Sequence, residues 1–257
     1  MSETFQPAIP AAKQWLGDTA LYWLFARWSL WQQFDRVWLQ THEPLPDPDD
    51  GPLILYMNHS SWWDGYLMYV IDHVVLRNRF DTYLLMEERQ LRSYRFFTWS
   101  GAFSINRHDR EDTRRALGYA AQLLRDQRSA RALFIFPQGR IVHADQRPLK
   151  IHNGIARIAA QLERVTLCPI ALRYEFLGQQ LPHAFIRMGP THQPVSTLDE
   201  ASLVREVGER LTEACDALRD DVVAGRLDRY QPLLRGQRGI DQRFDAFLRL
   251  LPRRRRP

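Results

Sequence analysis

Along most of the chain, short apolar runs alternate with segments whose apolar residues recur at helical spacing. The run at 53–57, "LILYM", reads as a buried strand, and further strands are predicted at about 80–86, "RALFIF" (131–136), "TLCPIALRY" (166–174) and "AFIRMG" (184–189). Helices are predicted at about 63–77, at about 89–99, through "TRRALGYAAQLLRDQ" and through "NGIARIAAQLE". In the third of these, Ala116, Leu117, Ala120, Leu123 and Leu124 repeat at helical spacing. From about residue 198 to the end the pattern is again helical. This order predicts an α/β fold with a mostly parallel sheet flanked by helices.

Residues 11–40 are helical in pattern and carry Trp15, Trp23, Trp28, Trp31 and Trp38. Tryptophan among leucine and arginine suits a membrane headgroup boundary, and it equally suits a helix packed on the core or on a second subunit. The Pro- and Asp-rich "EPLPDPDDGP" (43–52) separates this region from the rest. The expected organisation is an N-terminal amphipathic helical region over 1–45 and an α/β domain over 46–257, with a motif core at about 50–190 and a helical part at 198–250.

Composition narrows the function classes. The chain has 257 residues and a net charge of +5, mostly from arginine, ending in "PRRRRP". That surplus favours an anionic membrane surface over nucleic acid, for which no recognition motif is present. No window reaches the ~18 apolar residues of a transmembrane helix. Cys168 and Cys215 lie far apart without metal-ligand spacing, which predicts a reducing compartment, no metal and no thiolate nucleophile.

Candidate chemistry gathers at strand exits, where α/β sheets collect reactive groups. "NHSSWWDG" (58–65) follows the first strand and "FPQGR" (136–140) follows "RALFI". A histidine at a strand exit can take up a proton near neutral pH, and an aspartate opening the next helix can orient the ring. No serine sits in a GxSxG elbow and neither cysteine has the context of a catalytic thiolate, so a base of this kind activates a hydroxyl or amine of a substrate rather than a nucleophile of the protein. Alternatively, His59 is a structural histidine at the start of a helix. For Arg107 the structural alternative is a surface ion pair with Asp109, Glu111 or Asp112. His108, His143 and His152 read as surface residues.

"NHSSWWD" resembles the N-H-x-S-x-x-D block of the glycerophospholipid acyltransferase family, which includes 1-acylglycerol-3-phosphate acyltransferase. "GAFSINR" (101–107), "FPQGR" and "CPIAL" (168–172) are similar to its second, third and fourth blocks, in the same order. The resemblance implies a fatty acyl transfer from acyl-CoA or acyl-carrier-protein to a lysophospholipid-like hydroxyl, with no cofactor and with the enzyme at the cytoplasmic face of a membrane, peripheral or monotopic. It implies His59 as general base, Asp64 as its orienting partner, and Asn58, Ser61, Arg107, Gln138, Gly139 and Arg140 as substrate-binding residues. The third block departs from the family's F-P-E-G-T-R: Gln138 replaces glutamate, and Arg140 follows the glycine directly. These changes leave the acceptor open to a glycolipid or a polyisoprenoid derivative, and leave open a catalytically silent lipid-binding protein of the same fold.

Overall fold

Every residue of Leu53–Met57 is buried, and this follows from the place of that strand at the middle of a sheet. The structure is a computed structural model that describes residues 5–126, 128–194, 199–237 and 239–240. Its strands are β1 (Arg36–Thr41), β2 (Leu53–Met57), β3 (Asp81–Glu87), β4 (Ala102–Ile105), β5 (Arg131–Ile135), β6 (Thr166–Glu175), β7 (His183–Met188) and β8 (Gln231–Arg235). They lie in the order β4, β3, β5, β2, β6, β7, β1, β8. The stretch from β4 to β6 is parallel, β7 runs against β6 and alongside β1, and β8 runs against β1. The sheet is therefore mixed, with a parallel half that carries the strand exits of interest.

The two-residue period of β2 sends Leu53, Leu55 and Met57 to one layer and Ile54 and Tyr56 to the other. The first layer holds the N-terminal helices, α1 (Trp15–Ala20) and α2 (Trp28–Gln33), joined through the wider-wound Leu21–Arg27. It also holds α3 (Asp64–Val70), which continues as a wide turn over Ile71–Val75. The short α4 (Glu88–Ser93) lies beside β3 and β4. The second layer holds α5 (Arg110–Arg125), α6 (Gly154–Ala159) and α7 (Glu200–Val223).

Two stretches read as helical are strand instead. The helical pattern of 11–40 stops at Gln33, and within "RVWLQT" Val37 and Leu39 are buried while their neighbours are not, a two-residue period hidden by the run of tryptophans. Beyond Val223 the helical reading also fails: Gln231–Arg235 pairs with β1 as an edge strand, a partnership that no local pattern encodes. The rest of that prediction, with the "PRRRRP" tail, falls at 241–257, outside the described residues.

The tryptophans divide. Trp15, Trp23 and Trp28 are exposed together with Leu16 and Leu24, while Leu21, Tyr22, Ala26 and Leu30 of the same helical stretch are buried. Trp38 belongs to β1, where its Nε1 donates to His183 Nδ1 at 2.9 Å. The inner face grips the end of α3: Asp18 lies 3.2 Å from His73 Nε2, and the Tyr22 ring stacks on His73 at 4.3 Å. Beside them, burial pushes the Asp72 carboxyl up to about 6, partly opposed by the Thr82 hydroxyl that donates to it at 2.7 Å.

Gly101, which opens the second motif block, has φ +93°, and a Cβ there would come within 2.4 Å of the Thr82 carbonyl oxygen. A side chain meets both a disfavoured backbone conformation and an immovable backbone atom. Gly101→Ala is expected to lower stability by about 2 kcal/mol or more, measured as a fall in the urea unfolding midpoint.

Candidate active site

Where β2 ends, Asn58 stitches the strand exit to β6: its Nδ2 donates to the Leu172 carbonyl at 3.0 Å and its Oδ1 accepts from the Leu172 N–H at 2.7 Å. The chain then leaves the sheet and turns into α3, with Asp64 as its first residue. The Asp64 carboxylate is completely buried. Its Oδ2 accepts from the N–H groups of Ser60 and Ser61, at 2.7 and 2.9 Å, and lies 2.7 Å from His59 Nδ1. Its Oδ1 accepts from the Tyr174 hydroxyl at 2.6 Å. Four contacts of this kind offset the cost of removing a carboxylate from water. Burial and the adjacent carboxylate together push the Tyr174 phenol well above its ordinary range, so it stays a donor.

His59 is held from three sides. Its backbone N–H donates to Gln138 Oε1 at 2.7 Å, its ring stacks on Phe136 at 4.3 Å, and Asp64 takes Nδ1. The ring has no second hydrogen-bond partner among the described residues, which leaves Nε2 available. With Nδ1 the protonated nitrogen facing Asp64, Nε2 presents a lone pair, the arrangement a general base requires.

His59 lines a pocket of about 900 Å³ that also takes in the turn after β5. Apolar groups such as Phe25, Tyr66, Leu84 and Phe97 line one part of it, and Arg107, Arg140 and Lys150 line another. Gln138, Gly139 and Arg140 thus share one cavity with His59. Gln138 is buried, and its carbonyl oxygen supports the His59 backbone. Gly139 closes the turn by donating to the Phe136 carbonyl at 2.9 Å with φ +67°, and a Cβ there would lie 3.1 Å from Arg107 Nη1 and 3.2 Å from His152 Cδ2. Glycine lets those two side chains close over the turn.

Asn58 and Ser61, expected to bind substrate, do not line the pocket. The side chain of Asn58 is committed to Leu172, and Ser61 supplies its N–H to Asp64 and accepts from the Trp63 N–H through Oγ at 3.2 Å. Both build the support around His59 and Asp64. Arg107, expected to bind substrate, lines the pocket, and it does not form the local ion pair that was the structural alternative: its Nε meets Glu87 Oε2 at 2.9 Å, and its Nη1 donates to the Gly139 carbonyl. Asp109 instead caps α5, Glu111 pairs with Arg114, and Asp112 accepts from the Asn106 N–H. Arg140 and Lys150 are exposed and make no ion pair among the described residues. His108, His143 and His152 are exposed, as their sequence context suggested, although His108 and His152 also line the pocket.

Tyr174 and Glu87 are the site residues that sequence reasoning missed. Tyr174 stands two residues beyond the fourth block, in the same strand, and that proximity was the available signal. Both cysteines are buried and free, and burial pushes their thiols up to about 12, which keeps them protonated.

A family model described as Acyltransferase matches residues 36–173. No curated protein matches. Among solved structures, the chain is similar to the 1-acyl-sn-glycerophosphate (LPA) acyltransferase, PlsC, from Thermotoga maritima, at 16% sequence identity and a TM-score of 0.51, covering 79% of this chain and 76% of that one. That likeness is one of fold.

Asn58→Ala removes the side-chain amide that pairs with both backbone groups of Leu172 and leaves the Leu172 N–H and carbonyl facing a cavity. The expected loss of stability is about 2–6 kcal/mol, at about 1–3 kcal/mol for each of the two orphaned groups, measured by urea titration; an unchanged midpoint would remove Asn58 from the scaffold.

Proposed function

The chain belongs to the Acyltransferase family, and from that premise we propose that it is an O-acyltransferase moving a fatty acyl group from acyl-CoA or acyl-carrier-protein to a hydroxyl of a lysophospholipid-like acceptor at a membrane surface. The observation that carries this reading is the 2.7 Å contact between His59 Nδ1 and Asp64 Oδ2, on a pocket that pairs an apolar lining with a basic one.

In this reading His59 Nε2 takes the proton of the acceptor hydroxyl as its oxygen attacks the thioester carbonyl carbon. The tetrahedral intermediate collapses with cleavage of the C–S bond, and the imidazolium returns the proton to the departing thiolate. The products are an ester and a free thiol, and no acyl-enzyme forms. Asp64 orients the ring and stabilises the imidazolium between the two proton transfers. The apolar lining suits the acyl chain.

Arg140 and Lys150, which have no ion-pair partner among the described residues, are suited to an anionic group of a substrate. Arg107 already holds the Glu87 carboxylate, which compensates its charge and makes it a weaker anion contact than Arg140 or Lys150. For the membrane, the support is the shared exposure of Trp15, Leu16, Trp23, Leu24 and Trp28 on one helical stretch. No helix among the described residues is long and apolar enough to cross a membrane. A peripheral or monotopic association at the cytoplasmic face fits those features.

His59→Ala is expected to reduce acyl transfer from a long-chain acyl-CoA to a lysolipid panel by about 10²-fold or more, followed by mass spectrometry of the products. Undiminished turnover would refute the base, and steady release of free fatty acid without acceptor would identify a thioesterase. Replacing Trp15, Trp23 and Trp28 together by serine is expected to move the protein from the pellet to the supernatant in liposome sedimentation, with the unfolding midpoint retained; unchanged pelleting would assign the membrane contact elsewhere.

A further inference from the structure

The hydrogen bond from the Tyr174 hydroxyl to Asp64 Oδ1, at 2.6 Å, is shorter than any other that Asp64 accepts, and it comes from a strand 110 residues away. It is directed to the oxygen that His59 does not use. Ser60 and Ser61 occupy Oδ2 together with the imidazole, so Oδ1 has Tyr174 as its partner among the described residues. The three contacts on Oδ2 already hold one oxygen, and the Tyr174 donor adds a second point of hold on the other, so that rotation about the Cβ–Cγ bond breaks contacts at both oxygens and the direction in which Nδ1 is held is doubly secured.

The tyrosine is itself fixed. The Asn58 stitch to Leu172 anchors β6 two residues upstream of Tyr174, on the same face of the strand. The Tyr174 ring packs on Phe34 at 5.8 Å, and Phe34 packs edge-on against Trp63 at 5.1 Å, immediately before Asp64. Both ends of the Tyr174–Asp64 bond are therefore held by the same small set of contacts.

We infer that Tyr174 is a positioning residue for the acyl-transfer reaction: its hydroxyl orients the Asp64 carboxylate toward His59 Nδ1 and withdraws part of that carboxylate's charge from the imidazole. This rests on His59 acting as the base. A donor to a carboxylate disperses its negative charge, so the imidazolium that forms during transfer is less stabilised while the bond is present. Losing the bond should make His59 hold its proton more tightly and sit in a less defined orientation. Other titratable groups face the base across the pocket, namely Glu87, Arg107, His108, Arg140, Lys150 and His152. None of them makes a hydrogen bond or ion pair to Asp64 Oδ1 among the described residues.

The test compares the full-length wild type, Tyr174→Phe, and a variant with 3-fluorotyrosine at 174, whose more acidic phenol is a stronger donor of nearly the same size. Each is assayed for kcat and KM with acyl-CoA and a lysolipid across a pH series. Tyr174→Phe is expected to lower kcat about tenfold with both KM values within about twofold, and to move the acid limb of kcat/KM upward by about half to one pH unit, a fraction of the strength of one hydrogen bond to a charged group because the effect reaches the imidazole through the carboxylate. The fluorinated variant is expected to move that limb downward, and it keeps the inference testable should the phenylalanine variant fail to fold. An acid limb unmoved in the fluorinated variant, or moved upward, would overturn the inference, as would a wild-type kcat in a folded Tyr174→Phe. His59→Ala separates the two levels: if it retains wild-type turnover the base assignment itself fails, whereas an inactive His59→Ala beside an unaltered Tyr174→Phe removes only Tyr174.

Discussion

A carboxylate taken completely out of water must be surrounded by donors, and at Asp64 that requirement shapes the whole exit of the central strand. Two backbone N–H groups, an imidazole and a phenol converge on it. The backbone donors come from the residues between the histidine and the aspartate, so the loop from His59 to Asp64 folds around its own last side chain. The phenol comes from β6 and fixes the loop to the sheet. A motif six residues long thereby becomes a rigid part of the fold rather than a flexible connection, and the imidazole inherits that rigidity.

The turn after β5 completes the arrangement from the opposite side. Gln138 accepts from the histidine's own backbone, and Gly139 gives up a side chain so that Arg107 and His152 can approach. A glutamine suffices for this task because the contact needs an acceptor oxygen and no charge. Within the same cavity, the carboxylate of Glu87 already compensates Arg107, while Arg140 and Lys150 leave a surplus of positive charge. The uncompensated positive charge of the pocket therefore lies with residues that follow the glycine in the chain.

Much of this was legible in the chain's pattern, and the exceptions have physical causes. The strands at 53–57, 131–136 and 166–174 were visible because buried parallel strands read as continuous apolar runs. His59 and Asp64 were visible because their contact is local. Tyr174 was not, since its partner lies 110 residues earlier and a tyrosine at a strand end carries no signature of what its hydroxyl reaches. Glu87 was hidden for the same reason, as the local acids after Arg107 looked like better partners than one 20 residues upstream. Strand β1 was masked by a tryptophan that continued a helical series, and β8 exists only because β1 offers an edge.

Helix α3 with its wide final turn has a hold at each end: Asp64 at the first residue, and Asp72 and His73 near the last, where Asp18 and Tyr22 of the N-terminal stretch close on them. The spacing between these holds acts as a fixed gauge. Adding or deleting one residue between Asp64 and Asp72 would rotate one anchor by about 100° relative to the other, so that they could not both remain seated. The connection at 42–52 is tied to its surroundings through backbone groups of His42, Pro46 and Pro52, bonded to Met188, Arg79 and Thr166, and not through a helical phase, so a change of length there reseats hydrogen bonds without turning an anchor. Among descendants of this chain, indels should accumulate in that connector and be purged from the helix, even though the helix's middle residues touch neither anchor.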